Sequence, residues 1–158
     1  MLESLKILLE PLFGESPPDD SDDSAASRAH ALEVATAALM IEMARADFET
    51  ETRERDRILS LLKTRFQLGE EDGRALLELA AEKTHASASL HEFTQVLHAR
   101  LRHGEKTRLM EMLWEVALAD GRADKHEEAL IRKVGDLLYV PRPEQARVRV
   151  AALSAAKR

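Results

Sequence analysis

The chain has 158 residues, of which 44% are hydrophobic and 4% aromatic, and it carries a formal net charge of -6. This length and composition fit one globular domain with an aliphatic core, and the negative charge argues against nucleic acid as the main partner. Because the chain has no cysteine, a disulfide scaffold, thiol chemistry and a cysteine-ligated zinc site are excluded, and a cytoplasmic location is predicted.

The chain begins with a predicted short helix and a linker. Residues 1–13 have an amphipathic pattern with leucines on one face, including Leu9, and the charges at Glu3 and Lys6 argue against a signal peptide. We favour docking of this helix on the protein's own core, because a membrane-surface helix is normally rich in Lys and Arg. Residues 14–24 are rich in Gly, Pro, Ser and Asp and predict a flexible acidic linker. No apolar run approaches the ~20 residues of a membrane span, and peripheral membrane association is left open.

Residues 25–158 predict a single all-helical domain, since no run has the alternation of a strand. Helix start and stop signals place its helices at about residues 25–47, 51–66, 70–83, 90–102, 105–120, 124–138 and 144–156. With the N-terminal segment, this makes about seven to eight helices. We expect two three-helix units, about residues 25–83 and 105–156, related by a pseudo-twofold axis. The helix at about 90–102 bridges them, and a capping box at Ser89 marks its predicted start.

An internal repeat supports the two units. Residues 41–47 align with residues 114–120, and the same alignment pairs Glu54 with Glu127. Each copy therefore has an aspartate at the end of one helix and a glutamate seven residues later, at the start of the next. These acids lie along or beside apolar helical stripes. Because the helix dipole disfavours negative charge at a C-terminus, the aspartates need backbone N–H groups or a cation as compensation.

The two-copy Ala-x-Ala-Asp pattern, with glutamate seven residues after the aspartate, resembles the tellurite-resistance protein B (TerB) family. Residues 114–121, Trp-Glu-Val-Ala-Leu-Ala-Asp-Gly, and residues 91–94, His-Glu-Phe-Thr, carry the same resemblance. It is closest to a largely uncharacterised bacterial branch and covers the chain from about Ala29 to Leu138. The resemblance implies a compact all-helical fold, a link with tellurite and stress resistance, and no enzymatic activity. It also implies similarity to the N-terminal region of a membrane-anchored DnaJ-type co-chaperone.

The resemblance further implies a metal site, because the acidic motif of the family is associated with binding a divalent cation. The site residues carried over to this sequence are Asp120, Asp124 and Glu127 in the second copy and Asp47 and Glu54 in the first. The first copy departs from the family pattern, since phenylalanine follows its aspartate where glycine is expected. Glu128 adds a fourth acid to the second cluster, and such oxygen ligands favour Ca²⁺ or Mg²⁺ over zinc. The alternative is that the acids cap helices, because Asp124 and Glu127 fit a capping box.

No motif indicates catalysis or an organic cofactor. The chain has no P-loop and no nucleophile motif, and His91 and His98 share a helix face without a third zinc ligand. We therefore predict a non-enzymatic TerB-like interaction module in a bacterial stress response of the tellurite type, with an unidentified protein partner. The alternative is a plain, co-chaperone-like helical protein-binding domain whose acids only cap helices. A metal-dependent hydrolase is the third interpretation, although no water-activating base supports it. The oligomeric state is not indicated.

Overall fold

The computed structural model describes residues 9–10, 22–46, 52–81, 86–119 and 125–156, and these ranges contain seven helices and no strand. In chain order the helices are α1 (Asp22–Ala46), α2 (Thr52–Arg65), α3 (Glu70–Ala81), α4 (Ala86–Arg100), α5 (His103–Ala117), α6 (Lys125–Leu137) and α7 (Arg142–Ala156). The predicted all-helical fold is confirmed. None of these helices combines the length and the apolar character that a bilayer crossing requires. Most of the predicted N-terminal helix lies outside the described ranges, within which Leu9 is fully buried.

Two helices begin earlier than the sequence predicted. The predicted capping box at Ser89 is wrong, because α4 begins at Ala86 and Ser89 lies inside it. The alanines before Ser89 explain the difference, since alanine has the highest helix propensity. Similarly, α1 begins at Asp22, within the segment predicted as linker, and aspartate is favoured in the first turn of a helix.

The chain divides into two compact units, Met1–Leu90 and His91–Arg158. In the first unit, α1, α2 and α3 pack against one another. In the second unit, α5, α6 and α7 do the same. Each unit therefore contains a set of three mutually packed helices, and α4 contains the boundary between the units.

Helix α1 forms the core of the first unit. Every residue from Val34 to Met43 is buried, which is typical of a helix with no solvent face. Thr36 satisfies its hydroxyl within the helix by donating to the carbonyl of Leu32 at 2.8 Å. Glu42 is also buried, with 2% of its surface exposed. The alanine-rich sequence that predicted this helix therefore also allows its neighbours to approach closely.

Helix α5 has the same role in the second unit. Its C-terminal half is apolar and buried, with Leu109, Met110, Met112, Leu113, Trp114, Val116 and Ala117. Helix α6 adds Ile131 and Val134 to this core, and α7 adds Val148. Positions 41 and 114, paired by the sequence repeat, are both buried, so the repeat places equivalent core residues in the two units.

The second helices of the two units end in the same backbone motif. The residues Gln67 and Tyr139 have φ angles of 50° and 59°, and the following N–H groups bond five residues back, Leu68 to the carbonyl of Lys63 at 3.0 Å and Val140 to that of Gly135 at 2.9 Å. This is the Schellman ending, in which the left-handed position usually holds glycine. The sequence analysis instead assigned the end of this segment to Gly69, two residues later. The paired positions are 72 residues apart in both helices, one fewer than in the sequence alignment of the first helices.

The second and third helices of each unit meet at a glycine. A Cβ atom on Gly73 of α3 would lie 2.6 Å from Cε of Lys63 in α2. A Cβ atom on Gly135 of α6 would lie 2.6 Å from Cδ of Gln145 in α7. Lys63 precedes Gly135 by 72 residues, and Gly73 precedes Gln145 by the same number. The two contacts are therefore equivalent, with the glycine on opposite helices.

Replacement of Gln67 by glycine is expected to raise the free energy of unfolding by about 1 kcal/mol, because a side chain in the left-handed region is strained. Tyr139→Gly is the matched comparison, since it removes the same strain but also the contact of the Tyr139 ring with His98, whose centroids are 4.4 Å apart. Its gain should be smaller. Urea denaturation of both variants measures the difference. A loss of stability in Gln67→Gly would contradict this interpretation.

Candidate functional site

The predicted cation site of the second copy is described only in part. Asp120 and Asp124 lie outside the described ranges, as Asp47 does in the first copy. Glu54 is the third residue of α2, and its side chain is outside the description. Glu127 is the third residue of α6, is half-buried, and interacts with another group. The cation site therefore stays a prediction.

Glu128 is part of a link between helices. Its Oε1 accepts a hydrogen bond from Arg149 of α7 at 3.3 Å, and the same guanidinium lies 5.9 Å from the centroid of the Trp114 ring. The arginine thus compensates the charge of one of the four acids that the sequence grouped together. Within the part of the chain that the structure describes, no three His, Asp or Glu side chains gather as metal ligands.

Acids in the first turn of two other helices act as caps. Glu105 accepts the backbone N–H of Arg102 at 2.9 Å, and Asp72 accepts that of Gly69 at 3.3 Å. Each acid is the third residue of its helix and satisfies an N–H group that the helix itself leaves without a partner. The same third position is occupied by Glu54 in α2, Glu127 in α6 and Glu144 in α7. This shared position favours a capping role for Glu54 and Glu127.

Each unit also contains a histidine–carboxylate bridge between its first and third packed helices. In the first unit, Nε2 of His30 lies 3.0 Å from Oδ2 of Asp72. In the second unit, Nε2 of His103 lies 2.9 Å from Oε2 of Glu144. The bridges occupy equivalent positions, since His30 and His103 are 73 residues apart and the two acids 72. Sequence analysis missed them, although histidines at the spacing of the repeat were a signal.

Glu144 has a second partner because the residue before α7 is Pro141, which has no N–H group to cap. Its Oε1 instead accepts the hydroxyl of Thr107 at 2.7 Å. This hydrogen bond, and secondarily the charge of His103, lowers the pKa of Glu144. The ionised carboxylate therefore links α5 to α7.

The lowered pKa of Glu144 predicts an acid-sensitive contribution to stability. A folded-state pKa below the unfolded value stabilises the protein above the ordinary glutamate range, and this contribution is lost as the pH falls through the folded pKa. Glu144→Gln should cost about 1 kcal/mol near neutral pH. It should also reduce the loss of stability between about pH 6 and pH 3. Urea denaturation across this range is the measurement, and Glu92→Gln, an exposed substitution on α4, is the control. Parallel pH profiles for wild type and Glu144→Gln would refute the assignment.

His98 belongs to a packing cluster in the second unit. Its Nδ1 lies 2.7 Å from Nζ of Lys106 and 3.2 Å from the carbonyl oxygen of Leu138, and its ring packs on Tyr139. Burial lowers the pKa of Lys106. His91, considered with His98 as a zinc pair, is exposed. His98 therefore joins α4, α5 and the end of α6, a role that helical spacing alone did not indicate.

Comparison with known proteins gives one match. A family model described as Tellurite resistance protein TerB matches residues 33–150, well over half of the chain. No curated protein and no solved structure matches the chain. The matched range extends from α1 into α7 and includes both acidic turns.

Proposed function

The chain belongs to the TerB family of tellurite resistance proteins, and from this premise we propose that it is a non-enzymatic interaction module in a bacterial stress response of the tellurite type. The observation that carries the proposal is the family match over residues 33–150. The use of polar side chains agrees with it. The described histidines His30, His98 and His103 and the acids Asp72 and Glu144 link helices to one another.

The finer proposal is that the acidic turn before α6 binds a divalent cation. Asp120, Asp124 and Glu127 fall within eight residues of each other in the sequence, and a hard cation with oxygen ligands would relieve their repulsion. Ca²⁺ and Mg²⁺ are the candidates. The first copy, with Asp47 and Glu54, should bind more weakly because it lacks the turn glycine.

Thermal melting in chelator and then in Ca²⁺, Mg²⁺ or Mn²⁺ tests the cation proposal. A cation at ten times its Kd stabilises the folded state by about 1.4 kcal/mol, which raises the Tm by several degrees. Asp120→Asn should abolish this shift, and Asp47→Asn should reduce it less. Glu127→Gln separates binding from capping, because glutamine also serves in a capping box. It should melt like the wild type in chelator and lose the response to the cation.

The second candidate is a helical protein-binding domain whose acids only cap helices. The observation that favours it is the third-position acid shared by five helices, two of which, Asp72 and Glu105, are seen to cap. Under this function, millimolar amounts of each cation leave the melting curve where chelator leaves it. The same experiment therefore decides between the two candidates.

A further inference from the structure

A cleft of about 440 Å³ opens among α5, α6 and α7 of the second unit. Its floor is apolar, since it contains Met110, Trp114 and Ile131, each of which is at most 3% exposed. Its rim carries three arginines, Arg132, Arg142 and Arg149. The volume lies in the range of ligand sites, about 300–1,000 Å³, so the cleft is large enough for an organic ligand with both apolar and charged groups.

The three arginines surround the cleft in a chain whose net charge is -6. Carboxylates already bind two of them, Asp136 to Arg142 at 2.9 Å and Glu128 to Arg149 at 3.3 Å. These two arginine side chains remain 70% and 41% exposed, so further N–H groups of each guanidinium are available. Arg132 is exposed and forms no ion pair among the described residues. The rim is therefore suited to bind additional carboxylates.

The repeat indicates that the fold does not require these arginines. The residues 72 positions earlier, in the first unit, are Ser60, Glu70 and Leu77. None of them is basic, and all three are exposed, yet α1, α2 and α3 pack against one another in the same way as α5, α6 and α7. A cationic rim present in one copy alone points to binding by that copy.

We propose that this cleft binds an acidic peptide segment of a partner protein, with its carboxylates on the arginine rim and an apolar side chain on the floor. The proposal gives the interaction role a partner chemistry and rests on that role. A peptide suits the cleft better than an inorganic anion, because the volume is many times that of a water molecule, about 30 Å³. It also suits the cleft better than a lipid surface, because the arginines surround a concave site.

Peptide titration of the full chain tests the proposal. The probe is a hexapeptide that alternates glutamate with leucine, and its control replaces each glutamate by glutamine. The single tryptophan, Trp114, lies in the cleft wall, so its fluorescence reports binding directly. The cleft variant combines Arg132→Gln, Arg142→Gln and Arg149→Gln. The matched variant combines Arg100→Gln, Lys133→Gln and Arg147→Gln, which are exposed in the same unit outside the cleft, so that both variants lose three positive charges.

We expect saturable binding of the acidic peptide that weakens about tenfold or more in the cleft variant and less than about twofold in the matched variant. Arg132→Gln alone should weaken binding severalfold, and it breaks no ion pair of the described residues, so it serves if the triple variant fails to fold. Equal weakening in both triple variants, or no binding up to about 1 mM peptide, would overturn the proposal. Displacement of the peptide by equimolar inorganic phosphate, or by phosphatidylserine vesicles, would also overturn it. The cation experiment changes other residues, so the two proposals fail separately.

Discussion

Replacement of Trp114 by alanine is expected to lower the free energy of unfolding by about 4 kcal/mol, the largest effect of any substitution considered. The ring is 3% exposed and lies in the apolar half of α5, next to the fully buried Leu113. Removing it leaves a cavity that the close-packed helices fill only in part, and it also removes the surface over which Arg149 lies. Since the chain has one tryptophan, urea denaturation is followed by far-ultraviolet circular dichroism.

Two control variants define what the Trp114→Ala result means. Trp114→Phe keeps an apolar ring and should cost about 1–2 kcal/mol, because the volume lost is smaller. Val150→Ala, at a position of α7 that is 59% exposed, should change stability by less than about 0.5 kcal/mol. If Trp114→Ala were no more destabilising than Val150→Ala, the ring would not belong to the core.

Replacement of Gly135 by alanine is expected to destabilise the protein by about 2 kcal/mol, although alanine is about 1 kcal/mol better than glycine in a helix. The added methyl would meet the side-chain amide of Gln145 at 2.6 Å. That amide is fixed by donating to Oδ1 of Asp136 at 3.0 Å and to the carbonyl of Val140 at 2.9 Å. Moving it breaks these hydrogen bonds, each worth about 1 kcal/mol. Chemical denaturation measures the net effect.

Gly73→Ala in α3 is the matched control for Gly135→Ala. Its added methyl meets only the flexible end of the Lys63 side chain, which can move away, so the substitution should stabilise by about 0.5–1 kcal/mol. The double variant Gly135→Ala with Gln145→Ala removes the obstructing amide and should recover part of the loss. Destabilisation by both glycine substitutions to the same extent would show that the Gln145 amide is not the cause.

The fold could be predicted from sequence because apolar periodicity and end signals are local. Helices α2, α3 and α6 begin and end within about two residues of their predicted bounds. The exact register of the repeat could not be predicted, because it depends on a one-residue difference in the connection between the first and second helices. Only the paired left-handed residues, Gln67 and Tyr139, establish it.

The candidate site was less predictable because its contacts are not local. His30 and Asp72 are 42 residues apart in sequence, and no helical spacing relates them. The sequence identified Glu127 as chemically notable but could not distinguish a ligand from a cap, since both roles place a carboxylate in the first turn of a helix. The arginine rim escaped notice for a similar reason: Arg132 and Arg149 belong to different helices and share a cleft only after folding.

The glycine contacts limit how far the two halves of the chain are interchangeable. Lys63 faces Gly73, whereas Gly135 faces Gln145. A chimera with α7 grafted in place of α3 would set Lys63 against Gln145 and overfill the first junction. The reciprocal graft would set glycine against glycine and leave a void in the second. Each pair of helices is therefore matched to its own partner, so the duplicated halves have become complementary within themselves and can no longer trade parts.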